Sequence, residues 1–327
     1  MIPNQWYAIL ESSEVEPGEP VGVTRMGEKL VFWRDQSGRV ACLRDLCAHR
    51  GAALSRGKVC AGNVACPFHG FQYDASGACR LIPANGRAAA IPRNYQVQSY
   101  PVREAHGFIW LWLGEPGAQL PELPYFEDLT EEFTWATFRD RWSVHYSRAI
   151  ENQLDVVHLP FVHYNTIGRG GRTVVDGPVV ADDERQIEVW VHNRADDGTP
   201  ARKAEELPPP EGRPILRFRF PNLWQLLIAE DVRICLAFAP IDEGNTLLYA
   251  RYYQRAVRAP LLRNMVAFAG MLGSIVIIRQ DKRVVVTQRP KRSDFGMKER
   301  LVPGDRPIWV YRQRRRELID RAAAPVA

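Results

Sequence analysis

Cys47-Ala48-His49-Arg50-Gly51 and Cys66-Pro67-Phe68-His69-Gly70 are two short loops of one pattern, C-x-H followed sixteen residues later by C-x-x-H. A thiolate and an imidazole at such short spacing, offered twice, suit a metal. Zinc is the first rival. A zinc finger usually pairs Cys with Cys and His with His, whereas each loop here carries one of each. The mixed arrangement fits a cluster of two irons in which each loop gives one ligand to each iron. One iron then holds two Cys and the other two His. Gly51 and Gly70 close the loops, where the lack of a Cβ lets the backbone approach the cluster sulfurs and donate N–H groups to them. Imidazole ligands leave less negative charge on such a cluster than thiolates and raise its potential. Cys42, Cys60, Cys79 and Cys235 have no partner motif and read as buried apolar thiols.

Outward from the loops, the first ~115 residues read as short β-strands between turn signals: KLVFWRD, RVACLRD, FQYDASG and GFIWLWLG. Gly51, Gly57, Gly62, Gly70 and Gly77 punctuate them. The Pro-rich stretch EPGAQLPELPYF then marks a linker, which puts a domain boundary between residues 118 and 119. Beyond it, FTWATFRDRWSV leads into a helical segment around Tyr146–Val157. Longer strand-like runs follow from about Val174: RQIEVWVHN, PILRFRF, LWQLLIA, VRICLAFAP and TLLYARYYQ. ADDGTPARKAEELPPPEGRP reads as a surface loop between two of them. A long helix is expected from about Ala259 to Arg289, apolar first and polar later. The class is α+β: an all-β domain over 1–118, then an antiparallel sheet packed on helices over 119–327.

Composition narrows the function classes. The 327 residues are 46% hydrophobic and 25% charged, which is ordinary for a globular protein. The net charge of +5 is spread along the chain, so nucleic acid is not an expected partner. The densest basic run, Arg312 to Arg316, reads as a solvated helix face. No secretory signal is visible at the N-terminus. The most apolar segment, Met265–Ile278, is shorter than the roughly 20 residues that span a bilayer and is flanked by Arg263 and Arg279. It reads as a buried helix, and no membrane span is expected. Six cysteines without an export signal suggest a reducing, cytoplasmic setting with some of the thiols used for metal.

The two loops, the FQYDASG that follows them and the layout of nearly the whole chain resemble the Rieske non-heme iron oxygenases, specifically their α (terminal oxygenase) subunits. The resemblance implies a [2Fe–2S] cluster held by Cys47, His49, Cys66 and His69. It also implies a C-terminal helix-grip domain, an antiparallel sheet wrapped around a long helix, that holds a mononuclear Fe(II).

A free-standing cluster protein needs only about the first third of this chain. Non-heme iron oxygenases use two His and one carboxylate, which leaves three open positions on Fe(II). ENQLDVVHLPFVH, residues 151–163, supplies His158 and His163. On an unbroken helix that spacing turns the two side chains about 140° apart. Pro160 disfavours helical geometry at Leu159, so the helix is expected to stop or kink just after His158 and free His163 to reach the same metal. The stretch resembles the family's N-x-x-D-x-x-H-x-x-x-x-H through Asn152, Asp155, His158 and His163. The third ligand is expected from Asp281 in RQDKRVVVTQ, where Asp281 and Gln288 resemble the family's third-ligand helix. Glu230, Asp231 and Asp242 are weaker rivals that read as turn residues. Asp155, three residues before His158, is placed on one helical face with it and so could orient its ring.

In the family the matching Asp also bridges to a cluster histidine of the neighbouring subunit. That implies an electron path from His49 or His69 of one copy to Asp155 of the next, in a head-to-tail homotrimer. The resemblance further implies electrons from a separate reductase or ferredoxin, since the chain has no G-x-G-x-x-G after a strand. The expected reaction is monooxygenation with O2, as hydroxylation or O-/N-demethylation, of an aromatic or alicyclic small molecule. The alternatives are cis-dihydroxylation or, from another class, electron transfer without oxygenase activity. The substrate pocket is expected along Ile215–Ile228, Val232–Ala239 and the segment after His163, with Phe218, Phe220, Trp224 and Leu227 either lining it or packing the core. His106, His145 and His192 have no companion motif.

Overall fold

β-Branched and aromatic residues in runs of two to eleven build the strands, and glycines with left-handed backbone turn the chain between many of them. The computed structural model describes residues 1–117 and 119–323. They form two units, one of Asn4–Glu122 with Pro240–Asp242, the other holding the rest. The boundary expected at 118/119 falls on residue 118, outside the described residues.

The N-terminal unit carries β1 (Gln5–Glu11), β2 (Val21–Arg25), β3 (Glu28–Arg34), β4 (Val40–Arg44), β5 (Lys58–Cys60), β6 (Asn63–Ala65), β7 (Gln72–Tyr73), β8 (Cys79–Leu81), β9 (Val102–Ala105) and β10 (Phe108–Leu113). They make three small sheets in the orders β1-β10-β9, β2-β3-β4 and β5-β6-β7-β8, as the all-β expectation requires. Val31, Trp33, Leu43, Leu54, Val64, Phe71 and Tyr73 pack into one buried cluster, to which Cys47 and Cys66 also belong. Burying this apolar set anchors the loops that bear the two thiols.

The second unit is built on β11 (Thr134–Trp142), β12 (Val174–Asp182), β13 (Gln186–Arg194), β14 (Leu216–Arg219), β15 (Leu223–Ala229), β16 (Val232–Asp242) and β17 (Asn245–Gln254). The sheet order is β11-β17-β16-β15-β14-β13-β12, with antiparallel hairpins from β12 through β16. Among the described residues four α-helices join it: α1 (Tyr146–Leu154), α2 (Leu159–Val162), α3 (Pro260–Val285) and α4 (Arg306–Ala323). The long helix α3 lies against β11 and β17, and α1 packs on α3 and α4. This is the sheet-and-long-helix arrangement expected of the C-terminal domain.

Three expectations need correction. Helix α1 stops at Leu154, four residues before His158, because Asp155 turns extended with φ −70° and ψ 122°. Pro160 then starts a helix rather than ending one: it sits in the first turn of α2, where its missing N–H costs nothing. Second, α3 is not buried all round. Ala267, Met271, Ser274, Ile278, Asp281 and Val285 face inward, three or four residues apart. Leu261, Met265 and Phe268 are 81%, 65% and 53% exposed on the opposite side. By length and composition alone α3 could cross a membrane, yet its inward face lies on the sheet.

Third, the basic run is not a solvated face, because Arg312 and Arg315 are buried. Arg312 donates to both Glu151 (2.7 and 2.9 Å) and Glu299 (2.6 Å), and so joins α4 to α1. Arg315 donates to the Tyr146 hydroxyl and to the Ser293 carbonyl. Buried guanidinium groups need such partners, and only their sequence-distant acceptors reveal which arginines turn inward.

Candidate metal centres

The two cysteine loops fold by the same backbone rule. The Cys47 N–H donates to the Ala52 carbonyl (2.8 Å), and the Gly51 N–H donates back to the Cys47 carbonyl (2.9 Å). Nineteen residues on, the Cys66 N–H donates to Phe71 (2.8 Å) and the Gly70 N–H to Cys66 (3.0 Å). Gly51 and Gly70 have φ of +72° and +73°, which an L side chain rarely adopts, so glycine is required where each loop closes. The Asp45 carboxylate accepts from the Ser55 N–H (2.7 Å) and hydroxyl (2.5 Å) and fixes the ends of the first loop.

The loops present their ligands in two layers. Both thiols are buried, and the Cys47 sulfur lies 3.2 Å from the Tyr73 hydroxyl. Burial pushes the Cys66 thiol up, against the pull of the Phe68 and His69 N–H groups aimed at its sulfur. The His49 and His69 rings are exposed, 4.8 Å apart between centroids. Two inner thiolates and two outer imidazoles match the donor set of a two-iron cluster with one all-Cys and one all-His iron.

The second centre gathers side chains from two distant segments. His158 and His163 bracket α2, one at each end. The single turn sets their rings 5.2 Å apart and 68° inclined, and both close on Asp281 of α3. The Asp281 Oδ1 lies 3.0 Å from His163 Nε2 and 3.4 Å from His158 Nε2. Among the described residues these three form a group whose ligand atoms lie within 4.8 Å of one another. Two imidazoles and one carboxylate oxygen on one side of a site suit Fe(II) with positions left open.

The electrostatics favour a cation. Burial alone would raise the Asp281 carboxyl, but its hydrogen bonds and charge interactions with His158 and His163 prevail and hold it at about 2. Burial alone would lower the His158 ring, but the carboxylates of Asp155 and Asp281 prevail and raise it to about 9. A site that holds a proton so firmly attracts any positive charge. His163 and Asp281 are 1% and 3% exposed, so water reaches the centre mainly past His158.

Asp155 does not share a helical face with His158. It caps the end of α1, and its Oδ1 accepts from the Val157 N–H (2.7 Å) and the His158 N–H (3.1 Å). The same oxygen is 3.6 Å from His158 Nδ1, outside hydrogen-bond reach but close enough for charge to act. Asn152 sends Nδ2 to within 3.4 Å of Asp281 Oδ1.

Two glutamines that the sequence reading passed over also belong to the site. Gln280 Oε1 accepts from His163 Nδ1–H (2.8 Å) and from the Thr166 hydroxyl (2.9 Å), which turns His163 Nε2 toward Asp281. Gln153 Nε2 donates to Asp281 Oδ2 (3.2 Å). Gln153 stands inside ENQLDVVH, and Gln280 directly precedes Asp281. Their adjacency to ligands was the available signal.

The rival carboxylates are engaged elsewhere: Asp231 pairs with Arg255 at 2.8 Å, and Glu230 lies 3.9 Å from the same arginine. Phe218 and Phe220 prove to be core. They pack on Tyr311 with centroids 5.4 and 5.9 Å away. Trp224 is buried in the same cluster. Leu227 instead lines a 440 Å³ surface cavity with Arg213, Ile215 and Arg233, and none of the three gathered ligands lines it.

Comparison with known proteins agrees with both halves. Residues 5–101 match the Rieske [2Fe-2S] domain, and residues 142–321 match the vanillate O-demethylase oxygenase C-terminal domain. The chain is similar to a chloroplastic chlorophyllide a oxygenase of Chlamydomonas reinhardtii, 39% identical over 51% of this chain and 25% of the relative. It is also similar to a vanillate O-demethylase oxygenase subunit of a Pseudomonas species, 33% identical over 54% of this chain and 48% of the relative. The chain spans from a quarter to about half the length of such curated relatives. Its fold is that of crystalline dicamba monooxygenase bound to 3,6-dichlorosalicylic acid, with TM-score 0.79 over 99% of each chain at 22% identity.

Proposed function

Because this chain belongs to the Rieske non-heme iron oxygenases, we propose that it is a terminal oxygenase component that monooxygenates an aromatic or alicyclic small molecule with O2. Hydroxylation and O- or N-demethylation are the reactions intended. The convergence of His158 Nε2, His163 Nε2 and Asp281 Oδ1 carries the reading. An electron-transfer protein would have no use for a buried two-histidine, one-carboxylate set.

In this reading Cys47 and Cys66 hold one iron of the cluster, and His49 and His69 hold the other. His158, His163 and Asp281 hold the mononuclear iron. When bound, the cluster supplies single electrons and the Fe(II) supplies O2 activation. The chain's own groups set the conditions. Exposed His49 and His69 offer a separate reductase or ferredoxin a contact close to the cluster. Gln280 keeps the His163 Nδ1 proton engaged so that Nε2 is free to ligate. Asn152 points its amide at the ligating carboxylate. Asp155 keeps one carboxylate oxygen beyond its backbone contacts, and we assign it the link to a cluster histidine of a neighbouring copy in a homotrimer. The proposed location is the cytoplasm.

The test is an iron count and O2 uptake with a surrogate reductase. A fully loaded chain should hold three irons, and Asp281→Ala should lose one of them together with substrate-dependent O2 uptake. Two irons in a loaded sample, with Asp281→Ala unchanged, would leave the electron-transfer reading standing instead. Under ¹⁸O2, hydroxylation should leave one labelled atom in the product and demethylation one in the released formaldehyde, whereas cis-dihydroxylation would leave two in the diol.

A further inference from the structure

The Asp281 carboxylate has two oxygens, and the protein treats them differently. Oδ1 faces His163 Nε2 at 3.0 Å, His158 Nε2 at 3.4 Å and Asn152 Nδ2 at 3.4 Å. Oδ2 instead accepts from Gln153 Nε2 of α1 at 3.2 Å, and the nearest histidine contacts fall on Oδ1. The same Nε2 donates to Asn152 Oδ1 at 3.1 Å, so both of its N–H groups are committed. Both acceptors are oxygens. Turning the amide over would set its own oxygen against them, so the donor must face Asp281.

We propose that Gln153 is a positioning residue that keeps Oδ2 of Asp281 off the metal, so that the aspartate ligates through Oδ1 alone. The proposal rests on reading His158, His163 and Asp281 as ligands. Gln153 stands on helix α1, which packs against α3, and Asp281 is buried on α3. Both ends of the hydrogen bond are therefore held by rigid elements, not by loops. A carboxylate oxygen that accepts an N–H is a weaker donor to a cation, and swinging it onto the metal would break that bond inside a poorly hydrated site. A carboxylate that takes one position instead of two leaves one more for small molecules.

Gln280 makes the contrast. It acts on the imidazole side, where its oxygen orients His163. Loss of Gln280 frees a ligand to point away, whereas loss of Gln153 frees a second oxygen to point in. The two glutamines should thus change metal affinity with opposite signs.

The experiment uses the full-length chain with its cluster intact and the mononuclear site loaded with Co(II). The d–d bands of Co(II) are read as a difference spectrum against the cobalt-free protein, and they weaken as coordination number rises. Gln153→Met keeps side-chain length and removes the donor. It should bind Co(II) about tenfold more tightly, the effect of one hydrogen bond to a charged group, with weaker d–d absorption. Gln280→Met should bind about tenfold more weakly. If Gln153→Met does not fold, Gln153→Asn withdraws the same donor by one methylene and should shift affinity and spectrum in the same directions. Looser or unchanged binding with an unchanged spectrum would overturn the proposal, because a merely structural glutamine predicts that result. Asp281→Ala separates this failure from failure of the ligand reading. If it retains Co(II) with the parent spectrum, the ligand assignment itself falls.

Discussion

The two candidate metal centres are built on opposite plans. The cysteine loops are local: residues 47–70 contain all four expected ligands, and backbone hydrogen bonds from Cys47 to Ala52 and Cys66 to Phe71, and from Gly51 and Gly70 back to the two cysteines, set each loop's shape. The histidine–aspartate centre is non-local. His163 and Gln280 are separated by 117 residues and Gln153 and Asp281 by 128, and side chains set its shape. A centre held by backbone should tolerate changes around it and fail only when a ligand goes. A centre held by side chains should respond in graded steps to groups that never touch the metal.

The largest effect expected is at the local centre. Cys66→Ser should remove both cluster irons and with them all reductase-dependent turnover. The second unit should stay folded, because its core at Trp142, Tyr146, Phe238 and Leu248 contains none of the loop residues. Visible absorption, iron content and near-UV circular dichroism check this. If the second unit unfolds as well, the two plans are not independent. His163→Ala is the counterpart at the other centre. It should leave the cluster spectrum intact and remove the third iron, so that electrons enter but O2 uptake no longer depends on substrate.

Asp155→Asn probes the proposed link between copies. An asparagine Oδ1 can still accept from the Val157 and His158 N–H groups, so the local turn should survive and only the charge is lost. Both metal contents should stay at wild-type levels while turnover falls about 10–100-fold. The loss should lie in the step that carries electrons from the reduced cluster, read by rapid mixing with O2 and substrate. A variant with wild-type transfer rates would remove Asp155 from that path.

The same contrast governs how much could be read from the sequence. Both loops were legible because spacing alone brings their ligands together. His158 and His163 were legible as a pair, and Asp281 was placed with them from RQDKRVVVTQ only by resemblance. The route by which the pair meets was misjudged. Pro160 was read as a helix stop, but the break belongs to Asp155, whose carboxylate competes for the next backbone N–H groups. Gln153 and Gln280 carried only the weak signal of standing beside ligands, because an amide has no charge or motif of its own until its partner is in place. Phe218 and Phe220 were left between pocket and core because apolar character does not say which face of a strand meets a helix, and Tyr311 of α4 claims both. The buried Arg312 shows the same limit, since its acceptors Glu151 and Glu299 come from outside α4.

The smallest effect concerns acid. The cluster's imidazoles are exposed, whereas the second unit buries His145 completely at the start of α1. Its Nδ1 accepts from the Ser147 N–H (3.2 Å), so the cap on α1 needs an unprotonated nitrogen. Burial, joined by the charges of Arg315, Arg292 and the N-terminal amine, lowers its pKa from 6.5 to about 3. In the unfolded chain the ring takes up a proton near its ordinary value. The second unit should therefore keep full stability above about pH 6.5 and lose it progressively as pH falls from there toward 3, by about 2 kcal/mol between pH 7 and pH 5. His145→Asn retains an oxygen to cap Ser147 and cannot titrate. Urea unfolding of that unit at the two pH values should show the wild type losing about 2 kcal/mol more than the variant. Equal losses would mean that the acid sensitivity of this unit resides in groups other than its buried helix cap.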